Sequence, residues 1–98
     1  MAMLIDVRDV AEFEAGHAPG AVHVPVLAIM YGNLGILAET DKDTPLELYC
    51  HSGGRAEKAK QLLTDLGFTN VTNRGGLSDV APSTPVPKSS SWFARLWQ

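Results

Sequence analysis

The sequence predicts an α/β fold, in which a mainly parallel sheet of four or five strands lies in a three-layer arrangement with flanking helices. Short apolar runs alternate along the chain with segments whose apolar residues recur at helical spacing. Strands that alternate with helices are joined by right-handed crossovers and therefore lie parallel. A chain of 98 residues, 45% of them hydrophobic, is expected to form one domain around one core.

The first elements of this sheet are predicted near the start of the chain. Residues 3–7 form an apolar run that indicates a buried strand, and residues 20–26 indicate a second strand. Between them, Asp9 is expected to cap a short helix, with Glu12 completing a capping box three residues later. Gly16 is expected to end this helix in a left-handed conformation.

The second half of the domain continues the alternation. The apolar stretch 26–39 predicts one or two short helices, and residues 46–50 predict the third strand. Apolar residues at helical spacing over 56–66 predict a longer helix. A fourth strand is expected over 70–74, after which Gly75–Gly76 is expected to turn the chain.

The composition changes after residue 80 and divides the chain into three parts. Residues 1–80 are predicted to be the single folded domain, and residues 81–91 to be a linker rich in proline and serine. Residues 92–98 carry both tryptophans. Trp92 to Trp97 would share an apolar helical face. This segment either docks a protein partner or a surface, folds back on the domain, or is disordered.

Charge and cysteine content exclude several classes of protein. The net charge is −3, which argues against nucleic-acid binding because that function needs a basic face. The single cysteine excludes an internal disulfide.

The sequence shows no transmembrane segment and no signal peptide, so a cytoplasmic location is predicted as the sequence stands. A periplasmic location remains open if a signal peptide was removed.

The lone cysteine lies where a reactive thiol is expected. Cys50 ends a predicted strand and precedes a helix, and ligands bind parallel sheets at this edge. Gly53 and Gly54 allow consecutive N–H groups to converge on an anion, and Arg55 adds a positive charge. Such surroundings lower a cysteine pKa from about 8.5 to roughly 3.5–7.5. An inert buried cysteine is the alternative, but it gives the glycines and Arg55 no role.

Three stretches of the chain resemble the rhodanese domains, which are sulfurtransferases. Cys50-His51-Ser52-Gly53-Gly54-Arg55 is similar to the family's active-site loop. The stretch LIDVRDVAEFEAGHAPGAVHVP resembles the upstream signature, and LLTDLGFTNVTNRGGL resembles the segment that follows the loop. The match covers roughly residues 3–80, in the correct order, and is most similar to the small single-domain type typified by phage shock protein E.

The resemblance implies a rhodanese-like fold and a mechanism. The Cys50 thiolate would attack the outer sulfur of thiosulfate and release sulfite, which leaves a persulfide on Cys50. Cyanide, a dithiol or a thioredoxin-like protein would then take the sulfur. The anion would be bound by the loop residues, which are His51, Ser52, Gly53, Gly54 and Arg55. No organic cofactor is implied. No metal site is predicted, because the histidines and Cys50 lack a recognised ligand spacing.

Two residues depart from the family's pattern, and two others match it. His51 stands where many family members carry arginine, so it either binds anions in a pH-dependent manner or is an exposed loop residue. Ala56 replaces a common serine or threonine, which removes a hydroxyl from the site. Asp6 and Arg8 match the family's Asp-x-Arg. Asp6 is expected to hydrogen-bond near the active loop, and Arg8 to form a structural ion pair.

Two other functions compete with the sulfurtransferase. A cysteine phosphatase or arsenate reductase also uses a thiolate in an anion-binding loop. Tyrosine phosphatase loops place five residues between cysteine and arginine, whereas four residues separate Cys50 from Arg55. The shorter loop favours sulfur over phosphate. The other alternative is a persulfide carrier or redox-sensing module, which would hand the Cys50 persulfide to a protein partner docked on residues 92–98.

Overall fold

A computed structural model describes residues 2–80 as a four-stranded parallel sheet with helices on both faces. The strands are β1 (Met3–Asp6), β2 (Val22–His23), β3 (Leu46–Cys50) and β4 (Val71–Gly76). Their order across the sheet is β2-β1-β3-β4, and every pair is parallel. The α/β class and the parallel sheet predicted from the alternating pattern are confirmed, with four strands.

The helices are short except for one. They are α1 (Val10–Ala15), α2 (Val26–Met30), α3 (Gly54–Asp65) and α4 (Leu77–Val80), with a 3-10 helix at Gly35–Glu39. The apolar stretch 26–39 therefore forms two short helical pieces, as predicted. None of the helices within residues 2–80 is long and apolar enough to cross a membrane.

The alternation of side chains along the strands builds a core on each face of the sheet. Ile5 and Leu48 point into the larger core, together with Ala59 and Leu63 of α3. Leu4 and Tyr49, one position away, pack into a smaller core with Leu77 and Val80, whose side chains come from α4. Because successive side chains of a strand face opposite sides, a one-residue slip would exchange these two sets.

Three local expectations need correction. The second strand is only two residues long, because α2 begins at Val26, only three residues after the strand ends at His23. Gly16 ends α1, but its backbone is extended (φ 158°, ψ 138°) rather than left-handed. Gly75–Gly76 does not form a separate turn, since both glycines belong to β4 and Gly76 pairs with Cys50.

The predicted linker at 81–91 and the tryptophan-containing segment at 92–98 lie outside the described residues. The possible docking role of Trp92 to Trp97 therefore stays a sequence-based prediction.

Candidate active site

Cys50 is the last residue of β3, one of the two central strands of the sheet, at its carboxyl edge. The residue is buried, with 1% of its surface exposed. Its thiol is free, because Cys50 is the single cysteine of the chain. The chain leaves β3 at this point and enters α3 through only three residues, 51–53. This short connection holds the loop tightly around the sulfur.

Backbone N–H groups of the loop and of α3 point at the sulfur. The Gly53 N–H donates to Cys50 Sγ at 2.9 Å, and the Ala56 N–H lies 3.4 Å from the same atom. Gly53 has φ +100°, a left-handed conformation that favours glycine. Gly53 is also the residue that precedes the first turn of α3. In that turn, the free N–H groups of Arg55 and Ala56 are therefore directed at Sγ.

These donors change the acidity of the thiol. Burial is the largest influence and acts to raise the pKa of Cys50, because a charged sulfur is poorly solvated there. Hydrogen bonds from the backbone of Ala56, Gly53, Ser52 and Arg55 act in the opposite direction and together outweigh burial. The pKa of Cys50 is lowered as a result. The site therefore favours a thiolate, which is the nucleophilic form of cysteine.

Arg55 is not a free cation. Its Nη1 and Nη2 donate to the two carboxylate oxygens of Glu12 at 2.6 and 3.0 Å. The pair is about one-third exposed, and its guanidinium retains further N–H donors because arginine carries five. The electrostatic attraction of Cys50 is among the causes that raise the pKa of Arg55, so the guanidinium and the sulfur interact. A positive charge thus lies at the site, with its orientation held by Glu12.

Glu12 takes part in two interactions, the ion pair with Arg55 and a capping box with Asp9. Its backbone N–H is bound by the Asp9 carboxylate at 2.8 Å, and its own side chain accepts the Asp9 N–H at 3.3 Å. This is the capping box that the sequence predicts, and it is confirmed. The sequence pattern gave no reason to connect Glu12 with Arg55. The two residues are far apart along the chain, and only the packing of α1 against the loop brings them together.

Asp6 and Arg8 form a buried pair at the end of β1. The Arg8 Nη2 lies 2.8 Å from Asp6 Oδ2, Arg8 Nε also donates to this carboxylate, and Arg8 Nη2 donates to the Gly16 carbonyl at 2.6 Å. The Tyr49 hydroxyl donates to Asp6 Oδ2 at 2.7 Å and accepts the Ala18 N–H at 3.0 Å. Since Tyr49 directly precedes Cys50, this network braces β3 behind the candidate nucleophile.

The remaining loop residues are placed around the sulfur without side-chain bonds of their own. His51 and Ser52 are exposed, and within residues 2–80 neither side chain has a hydrogen bond or an ion pair. Gly54 begins α3. Gly76 lies directly against the loop, because a Cβ at this position would collide with the carbonyl oxygen of His51. A glycine is therefore required where β4 passes the loop.

The two histidines upstream belong to the scaffold. His17 and His23 stack on Phe13, with ring centroids 3.8 and 4.4 Å from that of Phe13. His17 Nδ1 lies 2.8 Å from the Phe13 carbonyl oxygen, and His23 Nε2 lies 2.8 Å from that of Arg8. In the part of the chain that the structure describes, no cluster of three histidine, cysteine or acidic side chains is placed to hold a metal.

A model of the rhodanese-like domain matches residues 1–81, which is most of the chain and includes the whole of this site. The chain belongs to the rhodanese-like domain family. This confirms the family resemblance seen in the loop and in the segments on either side of it.

Similar proteins with assigned names divide between two roles. The thiosulfate sulfurtransferase PspE of Escherichia coli (strain K12) is 34% identical over 77 residues, which cover 79% of this chain and 72% of that protein. A putative sulfur carrier protein, YrkF of Bacillus subtilis (strain 168), is 37% identical over 70 residues, but the match covers only 36% of its length. Rhodanese-like domains related to this chain thus carry names of both kinds.

Solved structures support the same family. A structure titled as a rhodanese with anions from E. coli has a TM-score of 0.72 and 32% sequence identity, and it covers 83% of this chain and 93% of that one. The human single-domain sulfurtransferase TSTD1 has a TM-score of 0.63 and 30% identity, over 74% of this chain and 73% of that one. The four-stranded sheet described above is therefore the rhodanese fold.

Proposed function

We propose that this rhodanese domain is a thiosulfate sulfurtransferase that carries sulfane sulfur on Cys50. The observation that carries the proposal is the cradle around Sγ, in which the Gly53 and Ala56 N–H groups lie 2.9 and 3.4 Å from a buried sulfur. Such donors stabilise a negatively charged sulfur before and after transfer. The name of the E. coli relative, thiosulfate sulfurtransferase, supports thiosulfate as the donor.

The first half-reaction forms the persulfide. The Cys50 thiolate attacks the outer sulfur of thiosulfate, a new S–S bond forms, and the original S–S bond breaks with its electron pair leaving on sulfite. The negative charge stays on the terminal sulfur of Cys50–S–S⁻. Arg55 assists here through the N–H groups that Glu12 does not engage, because a cation near the sulfur attracts the dianionic donor.

The second half-reaction returns the free thiolate. A nucleophile such as cyanide or the thiolate of a dithiol attacks the outer sulfur of the persulfide, and the bonding pair returns to Cys50 Sγ. With cyanide the product is thiocyanate, so atoms and charges balance over the cycle. His51, Ser52 and Gly54 lie at the rim of the loop, where they would contact the donor and the acceptor. The chemistry needs only these residues and the two substrates.

The test combines a mass measurement with turnover. After incubation with thiosulfate, the intact protein is expected to gain the mass of one sulfur atom, and cyanide is expected to remove it as thiocyanate. The Cys50→Ser variant, checked by circular dichroism for folding, is the matched control. A wild-type protein that gains no sulfur would refute the proposal, and so would equal thiocyanate production by the two proteins.

A persulfide carrier or redox-sensing module that acts with a protein partner is the second candidate. The relative named as a putative sulfur carrier protein supports the carrier function. Both candidates share the first half-reaction and differ in the second. With excess thiosulfate, an enzyme turns over many times with cyanide or with a small dithiol, whereas a carrier retains its persulfide until a partner such as a thioredoxin-like protein is added.

A further inference from the structure

The edge strand β4 contacts the active-site loop through the side chain of Asn73. Asn73 pairs with Leu48 of β3, and the next pair along the ladder is Gly76 with Cys50. Between these pairs β4 advances three residues while β3 advances two, so β4 carries an extra residue. Such a bulge redirects side chains and is common beside active sites. Here it lies immediately next to the candidate nucleophile.

The amide of Asn73 connects this bulge with the loop. Its Oδ1 accepts the Gly75 N–H at 2.8 Å, and its Nδ2 donates to the Gly53 carbonyl at 3.0 Å and to a Glu57 carboxylate oxygen at 3.1 Å. The reverse amide orientation is excluded, because it would place an oxygen against two acceptors. The three bonds use both amide protons of Asn73.

Gly53 is the residue on which this amide acts. Its N–H donates to Cys50 Sγ, and its carbonyl accepts Asn73 Nδ2 as well as the Glu57 N–H of the first helical bond. Gly53 holds φ +100°. Glycine has the widest choice of backbone conformations, so this torsion needs support from outside the residue. Asn73 supplies it from a neighbouring strand.

We propose that Asn73 is a positioning residue for the reactive cysteine: by holding the Gly53 carbonyl, it keeps the N–H of the same residue directed at the sulfur of Cys50. The inference rests on the proposed role of Cys50 as a nucleophile. It is tested through the acidity of the thiol, which is measurable whether or not the protein turns thiosulfate over. Failure of one proposal is therefore distinguishable from failure of the other.

The experiment separates the two ends of the amide. Asn73→Ser keeps a short oxygen that can accept the Gly75 N–H, as serine does two residues before its donor, but it cannot reach Gly53. Asn73→Ala removes both contacts, and neither change adds charge. Thr72→Ala is the matched control, because Thr72 is the exposed neighbour on β4 and its side chain has no hydrogen bond within residues 2–80.

The readout is the pH dependence of Cys50 alkylation by iodoacetamide. We expect the midpoint to move to higher pH in Asn73→Ser and in Asn73→Ala, with alkylation slowed several-fold below the midpoint, and to stay in place in Thr72→Ala. A midpoint in Asn73→Ser equal to that of the wild type would overturn the proposal and leave Asn73 a purely structural residue of β4.

A measurement on the wild type covers the case in which a variant does not fold. In NMR spectra, titration of the Cys50 thiol is expected to shift the Gly53 backbone amide and the Asn73 side-chain amide at the same pH. If the Asn73 resonance does not follow the thiol, the amide is not coupled to the loop, and the proposal is wrong.

Discussion

The carboxylate of Glu12 holds the guanidinium of Arg55 through two hydrogen bonds of 2.6 and 3.0 Å, across a separation of 43 residues along the chain. The pair joins α1 to the first turn of α3, where the backbone also binds the Cys50 sulfur. A fork of two parallel bonds fixes the plane of the guanidinium as well as its position. Arg55 is therefore an oriented charge at the site rather than a mobile one.

The Glu12–Arg55 pair predicts a specific response to acid. Hydrogen bonding by Arg55 is the largest cause that lowers the pKa of Glu12, which falls from 4.5 to about 2. A lowered pKa stabilises the fold fully above the ordinary value, and this stabilisation is lost as the pH falls from about 4.5 toward 2. Glu12→Gln removes it, so the variant and the wild type are expected to converge in stability over that interval.

The size of this effect is modest, because the pair is about one-third exposed and water screens it. We expect Glu12→Gln to cost about 1 kcal/mol or less near neutral pH. Glu14→Gln is the control, since Glu14 is an exposed residue on the same helix without an ion pair in the described part of the chain. Thermal unfolding from neutral to acid pH measures both variants, and a stability difference that does not shrink on acidification would contradict the prediction.

Arg55 is expected to act on donor binding more than on the fold. Arg55→Ala should raise the KM for thiosulfate about tenfold, which corresponds to about 1.4 kcal/mol, because a positive charge beside the sulfur is lost. Arg55→Lys keeps the charge but loses the fork to Glu12. We expect Lys to restore part of the affinity. Steady-state kinetics with thiosulfate and cyanide measure both variants, and an unchanged KM in Arg55→Ala would remove Arg55 from the donor site.

Much of the fold follows from local signals in the sequence. The alternating apolar runs predict the strands, the Asp9–Glu12 capping box predicts the start of α1, and helical spacing over residues 56–66 predicts most of α3. The end of β4 was predicted wrongly. A pair of glycines is typical of a turn, but here the second glycine is needed because β4 passes against the carbonyl of His51. Only the three-dimensional contact distinguishes these two uses of glycine.

The candidate site, like the fold, could be predicted from the sequence only in part. The position of Cys50 and the N–H groups around it follow from a strand, two glycines and a helix start, all adjacent in sequence. Glu12 and Asn73 were missed as partners of the loop, because each reaches it from an element distant in sequence. Asn73 carries one weak signal, an asparagine two residues before a glycine, which is typical of a local turn and does not point to the loop.

The buried Asp6 network predicts a large loss of stability when it is disturbed. Asp6→Asn leaves the buried Arg8 without its charge partner, and breaking such a pair costs about 3–5 kcal/mol. Tyr49→Phe is the milder matched variant, since it removes only the hydroxyl between Asp6 and the Ala18 N–H, at a cost of about 1–3 kcal/mol. Urea denaturation measures both. A smaller loss for Asp6→Asn than for Tyr49→Phe would contradict the network described here.

The acidity of Cys50 links the site to stability at alkaline pH. Although burial alone raises its pKa, the backbone donors bring the pKa below the ordinary value of 9.0. A lowered pKa stabilises the fold most above pH 9, and this contribution disappears as the pH falls through the folded pKa.

The Cys50→Ser variant isolates this contribution, because serine does not titrate in this pH range. The stability of the wild type relative to Cys50→Ser is therefore expected to rise as the pH increases from the lowered folded-state pKa of Cys50 to the ordinary value of 9.0. Urea denaturation at several pH values measures the difference, in which contributions of other groups cancel. A difference independent of pH would mean that the N–H cradle does not stabilise the thiolate, which is the property that the proposed sulfur transfer requires.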